Sequence, residues 1–270
     1  MTELQTILIT TKEDLLPYGE KICELFKECF QSDMSVEMWE WAYLNNVYGN
    51  PVVAMSFDGD RLIGHYAVIP NDIANNQNEE LKSALSMTTM VAESHRKHYL
   101  FTKLAEVTYE ELKWQGYDLV CGFPNASSAP GFKKRLEWII EKPDFVAEVT
   151  KEQLLNSADI DRFLSQDNRF GFEINNSQKT QWRLEKPGII YDIIGNAIVK
   201  EFNGSIDLMH LNKMSLQSLN SDQAYNVLLH SSVKDLLNQK VFEYQFGYRA
   251  FNEKAKGLSF NPSMIMSDVF

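Results

Sequence analysis

Residues 91–104 (VAESHRKHYLFTKL) pass from an apolar, strand-like stretch through a loop carrying Arg96 and Lys97 into a segment with helical spacing. The first backbone N–H groups of a helix have no intrahelical partner, and the helix dipole is positive at that end, so a loop of this kind welcomes an anion. The chemistry on offer is the holding of a phosphate or diphosphate by main-chain amides, helped by nearby cations. Taken alone, the same residues also read as a surface loop with two solvated charges.

The elements around this loop follow from hydrophobic spacing. Residues 19–30 put Ile22, Leu25, Phe26, Cys29 and Phe30 on one face and Glu and Lys on the other, which predicts an amphipathic helix. Ser35 is placed to cap a second helix carrying Met38, Trp39, Trp41 and Ala42. Residues 52–57 and 62–69 flank Asp58-Gly59-Asp60 and predict a hairpin. Residues 84–91 (ALSMTTMV) carry no charge and read as a buried strand. A helix follows over 102–115, ended by Gly116, then a strand over 117–123 and a short helix over 132–138.

The second half repeats this order in weaker form. Trp182 follows a polar loop, residues 189–194 and 197–202 read as a hairpin, and 205–211 as a strand. A helix is expected over 224–238 and a strand over 241–246. The segment 212–221 has no basic loop to match the one near Arg96. With no Pro- or Gly-rich linker near residue 150, the expectation is two closely packed lobes, 1–148 and 149–270.

Composition narrows the partners. Apolar residues are 44% of the chain and charged residues 23%, enough for a packed core. A net charge of −11 gives no basic excess for a nucleic-acid backbone, so DNA and RNA are not expected. Three cysteines without a C-x-x-C pair, and no histidine cluster at ligand spacing, point to a reduced, metal-free, cytoplasmic protein. The acidic start and the lack of a long apolar run lead us to expect neither a signal peptide nor a membrane span.

Several strings then fall together: WAY at 41–43, IGHYA at 63–67, TMV at 89–91 ahead of HRK at 95–97, LFTKL at 100–104, and GFPN at 122–125 ahead of FKKRLEW at 132–138. In this order they resemble the GNAT superfamily of N-acyltransferases over most of the first 140 residues. The resemblance implies an α/β (α+β) fold on a mixed, twisted sheet, here in two GNAT-like lobes. It also implies an acyl-coenzyme A donor. Its diphosphate would lie on the main chain of Arg96, Lys97, His98, Tyr99, Leu100, Phe101 and Thr102, its pantetheine arm on Val91, with Asn125 contacting the cofactor. The family's loop carries glycines where this chain has Tyr99 and Phe101, and many members carry a tyrosine acid where this chain has Phe132.

Acyl transfer to an amine needs an uncharged nucleophile, an oxyanion stabiliser and a path for the amine's proton. The N–H groups near Val91 suit the oxyanion. His65 is the first candidate base because histidine titrates near neutral pH, with Asp72 and Glu93 behind it; a packed, hydrogen-bonded histidine is the alternative. The pairing of GFPN with Trp182-Arg183 resembles bacterial members that acylate nucleotide-linked amino sugars in surface-polysaccharide (O-antigen, lipopolysaccharide or capsule) synthesis. The implied acceptor is a dTDP-3-amino-3,6-dideoxyhexose, and the implied donor acetyl- or 3-hydroxybutyryl-CoA. Trp138, Trp182, Arg183, Tyr191, Tyr248 and Arg249 are then candidates to hold the nucleotide, with core packing and ordinary ion pairing as the alternative for each. An aminoglycoside, which the acidic surface would attract, a protein amine, or a module that binds coenzyme A without turnover are the other readings.

Overall fold

The structure is a computed structural model and describes residues 4–165 and 168–267. The chain opens with β1 (Gln5–Ile9), followed by α1 (Gly19–Phe30) and α2 (Val36–Tyr43). Ile22 and Leu25 of α1 are buried, and Ser35 caps α2 by accepting from the Met38 N–H at 3.1 Å, both as spacing and residue type predict. β2 (Val52–Asp58) and β3 (Arg61–Pro70) form the expected hairpin about Gly59, whose φ of +58° suits a residue without Cβ. β4 (Ser83–Val91), α3 (Leu100–Trp114) and β5 (Leu119–Gly122) come next, Gly116 leaving α3 at φ +76°. A short α4 (Ala129–Arg135) leads to β6 (Ile139–Ile140). It begins three residues before the expected start because Pro130 stands in its first turn, where its missing N–H costs nothing.

The chain then makes a second sheet before returning. β7 (Asp144–Thr150) is followed by α5 (Ser177–Leu184), β8 (Asp192–Ile194), β9 (Ala197–Phe202), β10 (Ser205–Leu208), α6 (Lys213–Ser218), β11 (Ala224–Leu229) and β12 (Lys240–Tyr244). β13 (Gly247–Ala250) rejoins the first sheet between β5 and β6, giving the order β1-β2-β3-β4-β5-β13-β6; the second sheet runs β8-β9-β10-β11-β7-β12. Strand pairing therefore cuts across the expected boundary at 148/149: that point falls inside β7, and 247–250 belong to the first sheet.

The seven- and six-stranded sheets contain the same unit, an antiparallel pair whose second strand crosses through a helix to a parallel neighbour: β3-β4-α3-β5 in the first, β9-β10-α6-β11 in the second; a third, small sheet joins residues 73–74 and 80–81 to 170–171 and 260–261. The expected helix over 224–238 is a strand over its first half. Tyr225, Val227 and Leu229 alternate into one buried face, and pairing with β10 and β7 overrides the helical spacing of the leucines. β7 contributes to two hydrophobic clusters. Phe145, Ala147 and Val149 enter the smaller cluster, while Val146 joins the larger one with Ile198 and Leu228. Among the described residues no helix is long and apolar enough to cross a membrane.

Candidate active site

β4 and β5 pair only at Ser83↔Leu119, Ala84↔Val120 and Leu85↔Cys121; beyond Leu85 they part. The divergence opens a cleft of about 750 Å³, walled by Ser86 to Val91 of β4 on one side and Gly122 to Asn125 on the other. The β4 edge facing β5 has no ladder partner there, so its main chain is presented to the cleft.

Two features hold this edge. Across from Tyr66 of β3, β4 carries one extra residue: His65 pairs with Met90 and Ala67 with Met87, leaving Thr88 and Thr89 to share one position. Thr88 is left-handed at φ +46°, costly for a β-branched residue, and is held from behind. The Tyr43 hydroxyl bonds to the Thr88 hydroxyl, and the His65 ring, through Nδ1, lies 2.8 Å from the Thr88 carbonyl oxygen. At the cleft floor the Ser86 hydroxyl donates to Tyr66 at 2.9 Å, the Tyr66 and Tyr109 hydroxyls are 2.6 Å apart, and the Trp138 indole N–H donates to Tyr109 at 2.8 Å. Gly122 lets the floor close: a Cβ there would lie 3.2 Å from the Ser86 carbonyl oxygen and 3.3 Å from the Trp138 ring.

The basic loop is a 3₁₀ turn, Glu93–His98, joined to α3 through Tyr99. Tyr99 occupies the left-handed region at φ +56°, the conformation a glycine would adopt without strain, and its ring is 73% exposed. Phe101 packs edge-on to Phe132 at 5.3 Å, and the ring approaches Gly131 closely. Of the residues expected to hold the cofactor, Val91, Arg96, Tyr99, Phe101 and Asn125 line the cleft, and Leu100 is buried at the start of α3. Thr102 is half-buried in the first turn of α3 and is not on the lining; the side chains of Lys97 and His98 lie outside the described residues. Asn125 spends its amide oxygen on the N–H groups of Ser127 and Ser128, at 3.0 and 2.9 Å.

The candidate bases are elsewhere. His65 is fully buried and off the lining; burial pushes its ring down to about 4, so it is neutral at pH 7 and serves to pin the bulge. Asp72 sits at the other end of β4, accepting from the Ser83 N–H at 3.0 Å, with its carboxyl raised by burial. Glu93 is exposed on the turn and does not line the cleft. Among the described lining residues there is no Asp, Glu or His; the charged groups are Arg96, Lys134 and Arg135. In a chain of net charge −11, the cleft is electropositive.

Of the six residues expected to hold a nucleotide, only Trp138 lines the cleft. Trp182 stacks on Trp41 with centroids 5.0 Å apart, and each indole N–H donates to the other's carbonyl, at 2.8 and 3.1 Å. Arg183 donates from Nε to the Ile265 carbonyl at 2.6 Å and from Nη2 to that of Ser267, tying down the C-terminal segment, with the Tyr191 hydroxyl nearby. Tyr248 packs on Phe260 at 4.5 Å, and Arg249 pairs with Glu137 at 2.9 Å beneath Tyr109. Sequence reasoning passed over Ser86, Tyr43 and Thr88. The one available sign was the Thr88-Thr89 pair interrupting an otherwise alternating Met-rich strand.

A strand pair splays here over a helix N-terminus, with cations and a free main-chain edge in the gap, an arrangement suited to an extended anionic ligand. Residues 18–140 match the family model of the acetyltransferase (GNAT) domain, a domain of acyl-CoA-dependent N-acyltransferases. Among solved structures the chain is similar to a GCN5-related N-acetyltransferase from Kribbella flavida (TM-score 0.60, 10% identity, covering 92% of this chain and 71% of that one). It is also similar to a conserved protein from Enterococcus faecalis (0.62, 11%, 92% and 73%) and to Eis1 from Mycobacterium abscessus (0.58, 11%, 91% and 73%). At such identities these likenesses concern the fold. No curated protein matches the chain.

Proposed function

We propose that the protein transfers a short acyl group, acetyl or 3-hydroxybutyryl, from coenzyme A to the amine of a dTDP-linked 3-amino-3,6-dideoxyhexose, in the cytoplasm. The observation that carries the transfer is the β4/β5 splay, whose exposed main-chain edge, cations and aromatic floor suit a diphosphate-bearing thioester. The acyl-coenzyme A thioester would supply the activated carbonyl. The residues that would hold it are Val91 and the β4 edge for the pantetheine arm and the 96–102 main chain with Arg96 for the diphosphate. Tyr99 stands where the resemblance expects glycine and already has the left-handed backbone that glycine would supply.

In the reaction the amine nitrogen forms a bond to the carbonyl carbon and gives up one N–H proton, the carbon–sulfur bond breaks, and the leaving thiolate takes up a proton, so that amide and free thiol result. Main-chain N–H groups at the bulge are the stabilisers offered to the oxyanion. Phe132 is buried between Phe101 and Trp138 and offers no acid to the thiolate. With no carboxylate or imidazole on the described lining, the ammonium of the acceptor loses its proton to water. The rate then follows the acceptor's own ionisation.

The nucleotide-linked acceptor is favoured by the charge of the cleft. With Arg96 given to the donor, Lys134 and Arg135 without a carboxylate suit a substrate that carries its own diphosphate and oppose a polycation, although the whole molecule is acidic. The second lobe acts in specificity through the cleft wall: Tyr244 and Phe246 pack behind Phe123 at 5.3 and 5.5 Å. The test is thiol release from acetyl-CoA and 3-hydroxybutyryl-CoA against dTDP-amino sugars, an aminoglycoside and lysine peptides. Release with a dTDP-amino sugar is expected. Release with the aminoglycoside or peptide alone would overturn the acceptor, and coenzyme A binding without release from any pair would overturn the transfer.

A further inference from the structure

A second cavity, of about 460 Å³, lies where the chain leaves the first sheet for the second and returns. It is separate from the cleft: Phe246 lines the cavity, Phe123 lines the cleft, and the two rings meet at 5.5 Å. Phe246 and Phe260, packed at 5.3 Å, give the cavity an apolar surface. Opposite charges stand around it without meeting. Asp144, at the start of β7, is 5% exposed; one carboxylate oxygen accepts from the Ser231 N–H at 2.8 Å and the other has no hydrogen-bond partner among the described residues. Arg169 lies over the Phe163 ring at 4.3 Å, and its Nη1 is buried without an acceptor. The two charges influence each other yet form no ion pair. His230 accepts the Ser232 N–H at Nδ1 at 3.1 Å, so its Nε2 carries the proton and is a further donor.

A buried polar group without a partner costs free energy, and a fold that leaves one carboxyl oxygen of the buried Asp144 and one buried N–H of the half-buried Arg169 unpaired around one cavity is short of the group that pairs them. A simple anion would satisfy Arg169 but face Asp144. A simple cation would satisfy Asp144 and the lining Glu141 but face Arg169, with Lys142 and Lys234 also on the lining. A ligand carrying both charges meets neither penalty. We propose that this cavity binds a small zwitterion of the α-amino-acid class, with its carboxylate on Arg169, its ammonium on the free oxygen of Asp144 and an apolar side chain against Phe246 and Phe260. The inference stands apart from the acyl-transfer reading, since none of these residues lines the cleft.

Calorimetric titration of the full chain tests it with L-phenylalanine and L-leucine, and with phenylacetate and phenethylamine, each of which lacks one of the two charges. At least one amino acid is expected to bind at one per chain, with phenylacetate and phenethylamine at least tenfold weaker. Asp144→Asn and Arg169→Gln are each expected to weaken it at least tenfold while leaving coenzyme A binding and a cooperative melt in place. If Arg169→Gln does not fold, Arg169→Lys, which keeps the charge but not the flat guanidinium, is expected to bind detectably and more weakly than the native chain. The proposal is overturned if neither amino acid binds at millimolar concentration, if a ligand lacking one charge binds as tightly, or if the variants bind like the native chain.

Discussion

Replacing His65 separates a structural histidine from a catalytic one. Its ring sits 2.8 Å from the Thr88 carbonyl and holds a left-handed threonine in the bulge that shapes the β4 edge. His65→Leu leaves that carbonyl without its donor, at a cost of roughly 1–3 kcal/mol for an unsatisfied buried group. The native Nε2 is itself buried without a partner, so removing the imidazole returns part of that cost and the net loss is about 1–2 kcal/mol. For a chain of this size that corresponds to a fall in Tm of roughly 3–6 °C. His65→Asn places an amide N–H near the position of Nδ1 and is expected to recover most of the loss. In thiol release, both variants keep the native pH profile, because the buried ring, held near 4, is neutral throughout the working range. The Leu variant raises KM for acetyl-CoA several-fold as the bulge relaxes. A native profile with a limb between pH 6 and 7 that disappears in His65→Asn would refute this reasoning and restore His65 as the base.

Tyr99→Gly removes a left-handed strain of about 1 kcal/mol from an exposed residue, so differential scanning calorimetry should show unchanged or slightly higher stability, with coenzyme A affinity retained. Trp182→Phe keeps the stack on Trp41 but loses the N–H to the Trp41 carbonyl; denaturant titration should show a loss of about 1–3 kcal/mol with the acceptor KM unchanged. Asp144 has its carboxyl pushed up by burial to about 7, so the folded chain keeps a proton that the unfolded chain has released. Stability therefore falls as pH rises from about 4 to 7, by about 1.4 kcal/mol per pH unit and on the order of 4 kcal/mol in all. Asp144→Asn should flatten that slope in urea titrations between pH 4 and 8.

The parts of the fold that were legible in the sequence are those set locally. The faces of α1, the Ser35 cap, the Asp-Gly turn and the glycine after α3 each rest on residues within one or two turns of one another. The basic loop ahead of α3 was legible for the same reason, as a short run of cations at a helix start. The fate of single polar and aromatic residues was not. Trp182 finds its partner Trp41 at a separation of 141 residues, and Arg183 finds the Ile265 carbonyl at 82, so nothing near them in the chain distinguishes core packing from ligand contact. His65 looked catalytic by type. Which way its ring points depends on a one-residue bulge in the facing strand, and register of that kind is fixed only by tertiary pairing. Strand β11 was lost to its leucines, whose helical spacing competes with an alternation that only its two neighbours select.

The central claim, that the β4/β5 splay holds an acyl-CoA donor, is tested most directly by a crystal structure of the chain grown with coenzyme A. The account predicts the diphosphate on the main chain of residues 96–102 and the pantetheine arm along residues 87–91, its thiol end reaching the floor by Ser86 and Trp138. Coenzyme A bound elsewhere, or an empty cleft at saturating concentration, would contradict it.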